Sequence, residues 1–315
     1  MEIMGGTIAE RTVAKLERRA ASLGEIEPQV RQIVERVRSD GDEALLEYAR
    51  KWDGLKKKQS LLVSEREVES AWDATPKRVR EAMKKAASNI RRFAKWQLPR
   101  EWSKKVKGGE LGQVVRPLGS VGCYVPGGRY PLPSTLLMTV IPAQVAGVGR
   151  IAVVSPNPQP ATLAAAALLG ITEIYRCGGA QAIAALAYGT ETVSRVDKIV
   201  GPGNAYVTAA KKLVSFDCAI DMLAGPTEAV LYSDKGSPEF LAADFVAQAE
   251  HDPDAVVVFV TTRQKLAKAF LEAVQVARQG NEIAQEAIER NGYIFVASSA
   301  KEAMQWVNRI APEHL

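Results

Sequence analysis

Histidine is almost missing from this chain: 315 residues contain two of them. Both lie in short acid-flanked motifs, Gln248-Ala249-Glu250-His251 and Pro312-Glu313-His314-Leu315. Imidazole is the one side chain whose ordinary pKa lets it exchange protons near neutral pH, and in its neutral form it is a good zinc ligand. Two isolated histidines therefore mark the places to look for chemistry. Cysteine is scarce as well. Cys123, Cys177 and Cys218 form no CxxC pair and stand singly beside apolar runs, which argues against both a cysteine zinc cluster and a disulfide framework. No uninterrupted apolar run approaches the roughly 20 residues that a bilayer crossing needs, so no membrane segment is expected. The N-terminal Met1-Glu2-Ile3-Met4-Gly5-Gly6 carries an acid and lacks a basic stretch leading into an apolar one. A secretory signal is thus not expected, and the cytoplasm is the expected compartment.

What is present fits an ordinary soluble globular protein. Apolar residues make up 47% and charged residues 24%, and a chain of this length favours two α/β domains over a single core. The net charge of +5 is uneven: Lys77 to Lys107 holds 12 Lys and Arg against the two acids Glu81 and Glu101. Arg91, Arg92, Lys95, Trp96 and Trp102 in that stretch have the chemistry to meet phosphates and stack on bases. Solvated helix faces commonly have the same composition, however, and no nucleic-acid motif accompanies it, so no nucleic-acid partner is expected. Attraction of an anionic dinucleotide is a weaker use of the same field.

The texture changes near residue 108. Before it, Thr12–Arg38 and Glu65–Trp96 read as long amphipathic helices, interrupted by Asp40-Gly41 and Asp53-Gly54 turns and a short strand at Ser60–Ser64. After it, β-branched runs at Ile151–Val154, Glu173–Tyr175, Lys198–Val200, Ala229–Tyr232, Ala255–Val260 and Tyr293–Val296 alternate with Ala-rich helical stretches. Such alternation implies βα units and a mainly parallel sheet. Glycines cluster where strands would hand over to helices, at Val125-Pro126-Gly127-Gly128, Cys177-Gly178-Gly179-Ala180-Gln181 and Gly201-Pro202-Gly203-Asn204-Ala205. Three such turns on one sheet edge would make a dinucleotide cleft, because glycine lets backbone approach a ligand and a helix N-terminus favours phosphate. None is a GxGxxG fingerprint, and each is also an ordinary tight turn. Tyr124, Gln181 and Asn204 could contact a nucleotide there, or simply cap and pack helices.

The two histidine motifs have similar alternatives. Gln248 and His251 share a helix face at i, i+3, but two ligands do not complete a zinc site, and a hydrogen-bonded, half-buried histidine accounts for them equally. Glu313 and His314 could divide water activation and proton transfer, yet an ordinary helix start also favours Pro followed by Glu.

Taken in order, Gly122-Cys123-Tyr124-Val125-Pro126-Gly127-Gly128, Gly178-Gly179-Ala180-Gln181 through Ala187, Val196 through Asn204, Asp221-Met222-Leu223-Ala224-Gly225-Pro226-Thr227-Glu228, Gln248 through His251 and Pro312 through Leu315 resemble the histidinol dehydrogenase family over essentially the whole chain. The resemblance implies two incomplete Rossmann-like α/β domains with mainly parallel sheets, the second inserted into the first, plus an N-terminal helical extension. Its boundaries would be 1–21 for the extension, packing on a partner subunit, 22–122 with 229–315 for domain one, and 123–228 for the inserted domain two. It implies oxidation of L-histidinol through L-histidinaldehyde to L-histidine with two NAD, one Zn2+ per subunit, and a homodimer. Carried over residue by residue, Tyr124, Gln181 and Asn204 bind NAD; Gln248 and His251 ligate zinc and contact substrate; Thr227 and His314 contact substrate; Glu313 and His314 are the catalytic pair. The family takes its other zinc ligands, an aspartate and a second histidine, from sequence beyond its PEHL motif, so residues 1–315 are expected to retain zinc weakly. The neighbouring reading is a related zinc- and NAD-dependent dehydrogenase of another polyol, such as a sulfonated propanediol, for which Arg129-Tyr130 would face the anion. A thiol mechanism through Cys123 is a variant of the enzyme reading. An inactive relative with a non-catalytic or nucleic-acid-binding role is the distant alternative.

Overall fold

A computed structural model describes residues 1–18, 24–127, 131–223, 225 and 227–315. The chain divides into two compact units, Met1–Ser22 with Gly225–Leu315 (unit 1) and Leu23–Ala224 (unit 2).

In unit 1, residues near both ends of the chain build one parallel sheet in the order β1-β11-β10-β9, from β1 (Ile3–Gly5), β9 (Glu228–Tyr232), β10 (Val256–Thr261) and β11 (Gly292–Val296). All six residues of β10 are buried, which explains its unbroken apolar sequence: a strand covered on both faces has no need to alternate. One face packs against α10 (Pro238–Ala249), α11 (Gln264–Ala277) and α12 (Glu282–Asn291) around Phe245, Phe259 and Phe270. The other packs against α1 (Gly6–Glu17) and α13 (Ala300–Ile310) around Val13, Phe295 and Trp306. The leading residues are therefore more than a helical extension, since β1 hydrogen-bonds in register with β11 and α1 covers the sheet.

Unit 2 holds a five-stranded parallel sheet in the order β6-β5-β4-β7-β8, formed by β4 (Ser120–Tyr124), β5 (Arg150–Val154), β6 (Ile174–Tyr175), β7 (Lys198–Val200) and β8 (Ala219–Ile220). The chain lays strands outward from β4 to β6, then returns to place β7 and β8 on the other side of β4. That reversal makes a topological switch point between β4 and β7, the position where open α/β sheets bind ligands at their carboxyl ends. Helices α6 (Pro133–Val145) and α7 (Pro160–Leu169) cover one face, and α8 (Gly179–Tyr188) and α9 (Ala205–Val214) the other. A second helical layer lies outside each: α2 (Glu27–Asp40) and α3 (Asp42–Trp52) over α8 and α9, α4 (Glu65–Ala74) and α5 (Lys77–Trp96) over α7 and α6. This sandwiching accounts for the sequence of α8, whose residues 180–187 are all buried. With protein on both sides, that helix needs no polar stripe. A hairpin of β2 (Trp102–Val106) and β3 (Gly109–Gln113) completes the unit and is exposed along its whole length.

The units divide the chain differently from the boundaries drawn at 122 and 229. Residues 27–96 pack on the strands and helices of 120–214, in cores that join Val30 and Leu45 to Ile183, and Val68 and Met83 to Leu136 and Ile141. Two long expected helices are also each broken. Thr75, extended at ψ 128, separates α4 from α5 because Pro76 disfavours a helical conformation in the residue before it. Within Thr12–Arg38, α1 ends at Glu17 and α2 restarts at Glu27 with a proline in its first turn. The strand expected at Ser60–Ser64 shrinks to one antiparallel bridge between Leu62 and Tyr175 at the open edge of β6.

Candidate functional site

In unit 2 the three glycine turns follow β4, β6 and β7, and because these strands run parallel, all three turns lie on the carboxyl edge of one sheet. Gly201 opens the third turn at φ +118, and a Cβ there would overlap the carbonyl oxygen of Tyr124. Only glycine accommodates both conditions. Asn204 ends the turn and caps α9, its side-chain oxygen accepting from the Val207 N–H at 3.2 Å. It is exposed.

The other two cofactor candidates are buried in a hydrogen-bonded cluster. The Tyr124 hydroxyl accepts from the Gly179 N–H at 3.0 Å, and burial raises its pKa above the ordinary phenol value. Gln181, 2% exposed, donates its amide to Asp53 at 3.0 Å, and the same carboxylate accepts the Gly178 N–H at 2.9 Å. Burial raises the Asp53 pKa, against the opposing pull of those two donors. The N-terminus of α8 is thus already filled by the protein's own oxygens. A helix start whose N–H groups face a carboxylate does not offer them to phosphate. The sequence marked Asp53 only as a turn residue. Its reach to Gln181 across 128 positions has no local signal.

The thiol variant fails on burial. Cys123 is fully enclosed beside Thr139, and desolvation pushes its thiol up to about 12, so it is not a thiolate near neutral pH. Cys177 and Cys218 are likewise buried. Of the basic stretch, Arg91 donates to Gln144 on α6 at 2.8 Å and Arg92 lies 5.9 Å from the Trp96 ring centre, while Trp96 and Trp102 are exposed. Met83, Ala87 and Ala94 face inward, so α5 is an amphipathic helix with a basic outer side.

In unit 1 the candidates gather at the opposite, amino edge of the sheet. Thr227 immediately precedes β9, and its carbonyl accepts the Val256 N–H that starts β10 at 2.9 Å. Helix α10 begins with a Ser237 cap after the carboxyl end of β9 and returns toward the start of β10. Gln248 lies in its last turn and His251 just beyond, with imidazole Nδ1 2.8 Å from the Ala247 carbonyl. That contact makes Nδ1 the donor and leaves Nε2 as the ligand nitrogen, the orientation that metal-binding histidines usually have. Glu313 and His314 reach the same edge because α13 ends at Ala311, left-handed at φ 47, and turns the chain back along β9. There His314 forms a parallel bridge with Ala229: its N–H donates to Glu228 and its carbonyl accepts from Val230, both at 2.9 Å. Its imidazole and the Glu313 carboxylate are exposed and 4.0 Å apart.

The carboxyl edge of this sheet is occupied by a structural carboxylate. Asp234 accepts from the Thr262 N–H at 2.6 Å and from the hydroxyls of Thr261 and Tyr232 at 3.1 and 3.2 Å. Burial would raise its pKa, but these donors outweigh it and hold the carboxylate below its usual range. Among the described residues no group of three or more His, Cys, Asp or Glu could hold a metal ion, so Gln248 and His251 fit a zinc site as two of its ligands only. Gly128, Arg129, Tyr130, Ala224 and Pro226, which the sequence motifs include, lie outside the described residues.

A family model described as histidinol dehydrogenase matches residues 16–315. Histidinol dehydrogenase of Methanothermobacter thermautotrophicus is 46% identical across 97% of the chain and 74% of its own length. That of Geobacillus kaustophilus is 47% identical across 99% and 74%. The crystal structure of histidinol dehydrogenase from Elizabethkingia anophelis superposes with a TM-score of 0.89 at 35% identity, covering all of this chain and 75% of that one.

Proposed function

The chain belongs to the histidinol dehydrogenase family, and on that premise we propose that it oxidises L-histidinol through L-histidinaldehyde to L-histidine, using two NAD in succession, as a cytoplasmic homodimer. The observation that supports this reading is that Thr227, Gln248, His251, Glu313 and His314 all fall toward the amino edge of one sheet in unit 1, although they span nearly ninety positions of sequence. Zinc would be held in part by Gln248 and the Nε2 of His251, and when bound it supplies a template that orients the amine and imidazole of the substrate. NAD accepts hydride when bound, with Asn204 at the exposed cap of α9 as its direct contact. Tyr124 and Gln181 bear on the nucleotide through the turns they hold.

His314 takes the hydroxyl proton as the carbinol C–H leaves as hydride, which gives the aldehyde. Glu313 then takes a proton from a water molecule while the water oxygen adds to the aldehyde carbon, giving the hydrate anion. The hydrate anion loses a second hydride, for the second NAD to accept, and a third proton, leaving the carboxylate product. Exposure of both side chains at an edge strand suits this exchange of protons with water. Thr227 contacts substrate at the start of β9, and no nucleic acid or membrane has a part in the reading. Among the described residues no helix is long and apolar enough to cross a membrane.

The test is NAD reduction with L-histidinol against 2,3-dihydroxypropane-1-sulfonate. L-histidinol should be preferred; preference for the sulfonate would replace the reading with the neighbouring polyol dehydrogenase. His314→Asn should lower kcat by about two to four orders of magnitude, the usual worth of a positioned base. Glu313→Gln should slow aldehyde oxidation more than alcohol oxidation when the two steps are assayed separately.

A further inference from the structure

Lys211 belongs to none of the motifs, yet it is one of the few charged residues buried in this protein, 3% exposed on the inner side of α9. Its ammonium donates to the Gly201 carbonyl at 2.5 Å and to Asp221 Oδ1 at 2.6 Å. Asp221, just after β8, accepts the Gly201 N–H through Oδ2 at 2.8 Å and its neighbour Met222 N–H through Oδ1 at 2.7 Å. The ion pair therefore takes both backbone groups of one residue, and that residue is the Gly201 held at φ +118 against the Tyr124 carbonyl.

A buried ion pair is a poor way to gain stability, because an apolar pair of similar volume commonly serves as well or better. What it supplies is direction: the two peptide planes that meet at Gly201 are each gripped, one by its N–H and the other by its C=O, so neither turns freely. Gly201 is the first residue after β7, and the three that follow lead to the exposed cap at Asn204. The shape of that turn is thus set from below by a charge pair contributed by α9 and the end of β8. We propose that Lys211 and Asp221 are positioning residues that lock the Gly201–Asn204 turn into the form that receives the dinucleotide. Neither touches reacting atoms. The proposal rests on the reading of this turn as a nucleotide contact.

The experiment measures NADH dissociation constants by fluorescence titration for the unsubstituted chain, Asn204→Ala, Lys211→Met and the double variant Lys211→Met with Asp221→Asn. Lys211→Met leaves Asp221 without its counterion and is expected to lower the melting temperature. The double variant removes both charges, so its melting temperature should return toward that of the unsubstituted chain. Its NADH affinity should nevertheless stay about tenfold or more weaker, since Gly201 has lost the donor to its carbonyl. A merely structural pair would instead let affinity recover together with stability. Recovery of the double variant to within about twofold of the unsubstituted chain would overturn the proposal. If Asn204→Ala weakens NADH binding in the same series, the nucleotide reading stands and only the clamp fails. If the unsubstituted chain binds no NADH at all, the nucleotide reading fails and takes the clamp's role with it.

Discussion

Two buried or partly buried carboxylates show how position decides the sign of an electrostatic contribution. Asp53 has its pKa raised, chiefly by burial, while Asp234 has its pKa lowered because three donors outweigh its burial. A raised carboxyl pKa means the folded state holds its proton more tightly than the unfolded chain does. The contribution of Asp53 is then most favourable at acid pH and is lost as pH rises from the unfolded carboxylate range through its raised folded value. Asp234 runs the other way, its contribution present above the unfolded value and lost as pH falls through its depressed one. Thermal melts against pH should therefore show opposite slopes when the native chain is compared with Asp53→Asn and with Asp234→Asn. Slopes of one sign for both variants would contradict the assignment of these two environments.

At the scale of elements, local sequence signals served well where a helix or strand depends on its own residues. Ser64 and Glu67 form a complete capping box at the start of α4, each side chain bonded to the other's backbone N–H. Ser64→Ala should cost about 1 kcal/mol in urea denaturation, the ordinary worth of such a cap. The strands from β5 onward lie within a residue or so of their β-branched runs, except β8, which is two residues long and has no such run. The failures have physical causes of equal clarity. Glu65–Trp96 reads as one helix by periodicity, but Pro76 splits it. The β2–β3 hairpin escaped notice because it is exposed throughout and its few apolar residues, Trp102, Val106 and Leu111, are interrupted by Lys104, Gly109 and Gln113, which leaves little alternation to detect.

At the scale of the molecule, the candidate cofactor contacts belong to unit 2 and the candidate zinc, substrate and proton-transfer residues to unit 1. His314→Asn should therefore leave NADH affinity within about twofold, since the two groups of residues sit in separately packed cores. Zinc should be held weakly by residues 1–315, because Gln248 and His251 are only two candidate ligands where a protein zinc site uses three or four. Dialysis against a zinc-free buffer followed by metal analysis should find well under one ion per chain, and His251→Ala should remove what remains. Stoichiometric zinc after dialysis would show that other side chains complete the sphere.

By itself the sequence determined the α/β class, the parallel strands, the scarcity of histidine and the two short motifs that hold it. These depend on composition, periodicity and glycine spacing, all of which are local. Only the tertiary structure decided that the first eighteen residues complete the sheet of unit 1 and that α2 to α5 form the outer layers of unit 2. It also decided that Asp53 occupies the helix start otherwise open to phosphate, and that Lys211 and Asp221 grip Gly201. Such contacts join residues that are far apart or unremarkable in the chain. Their pairing follows from how layers stack and strands cross over, which no spacing rule along a single sequence contains.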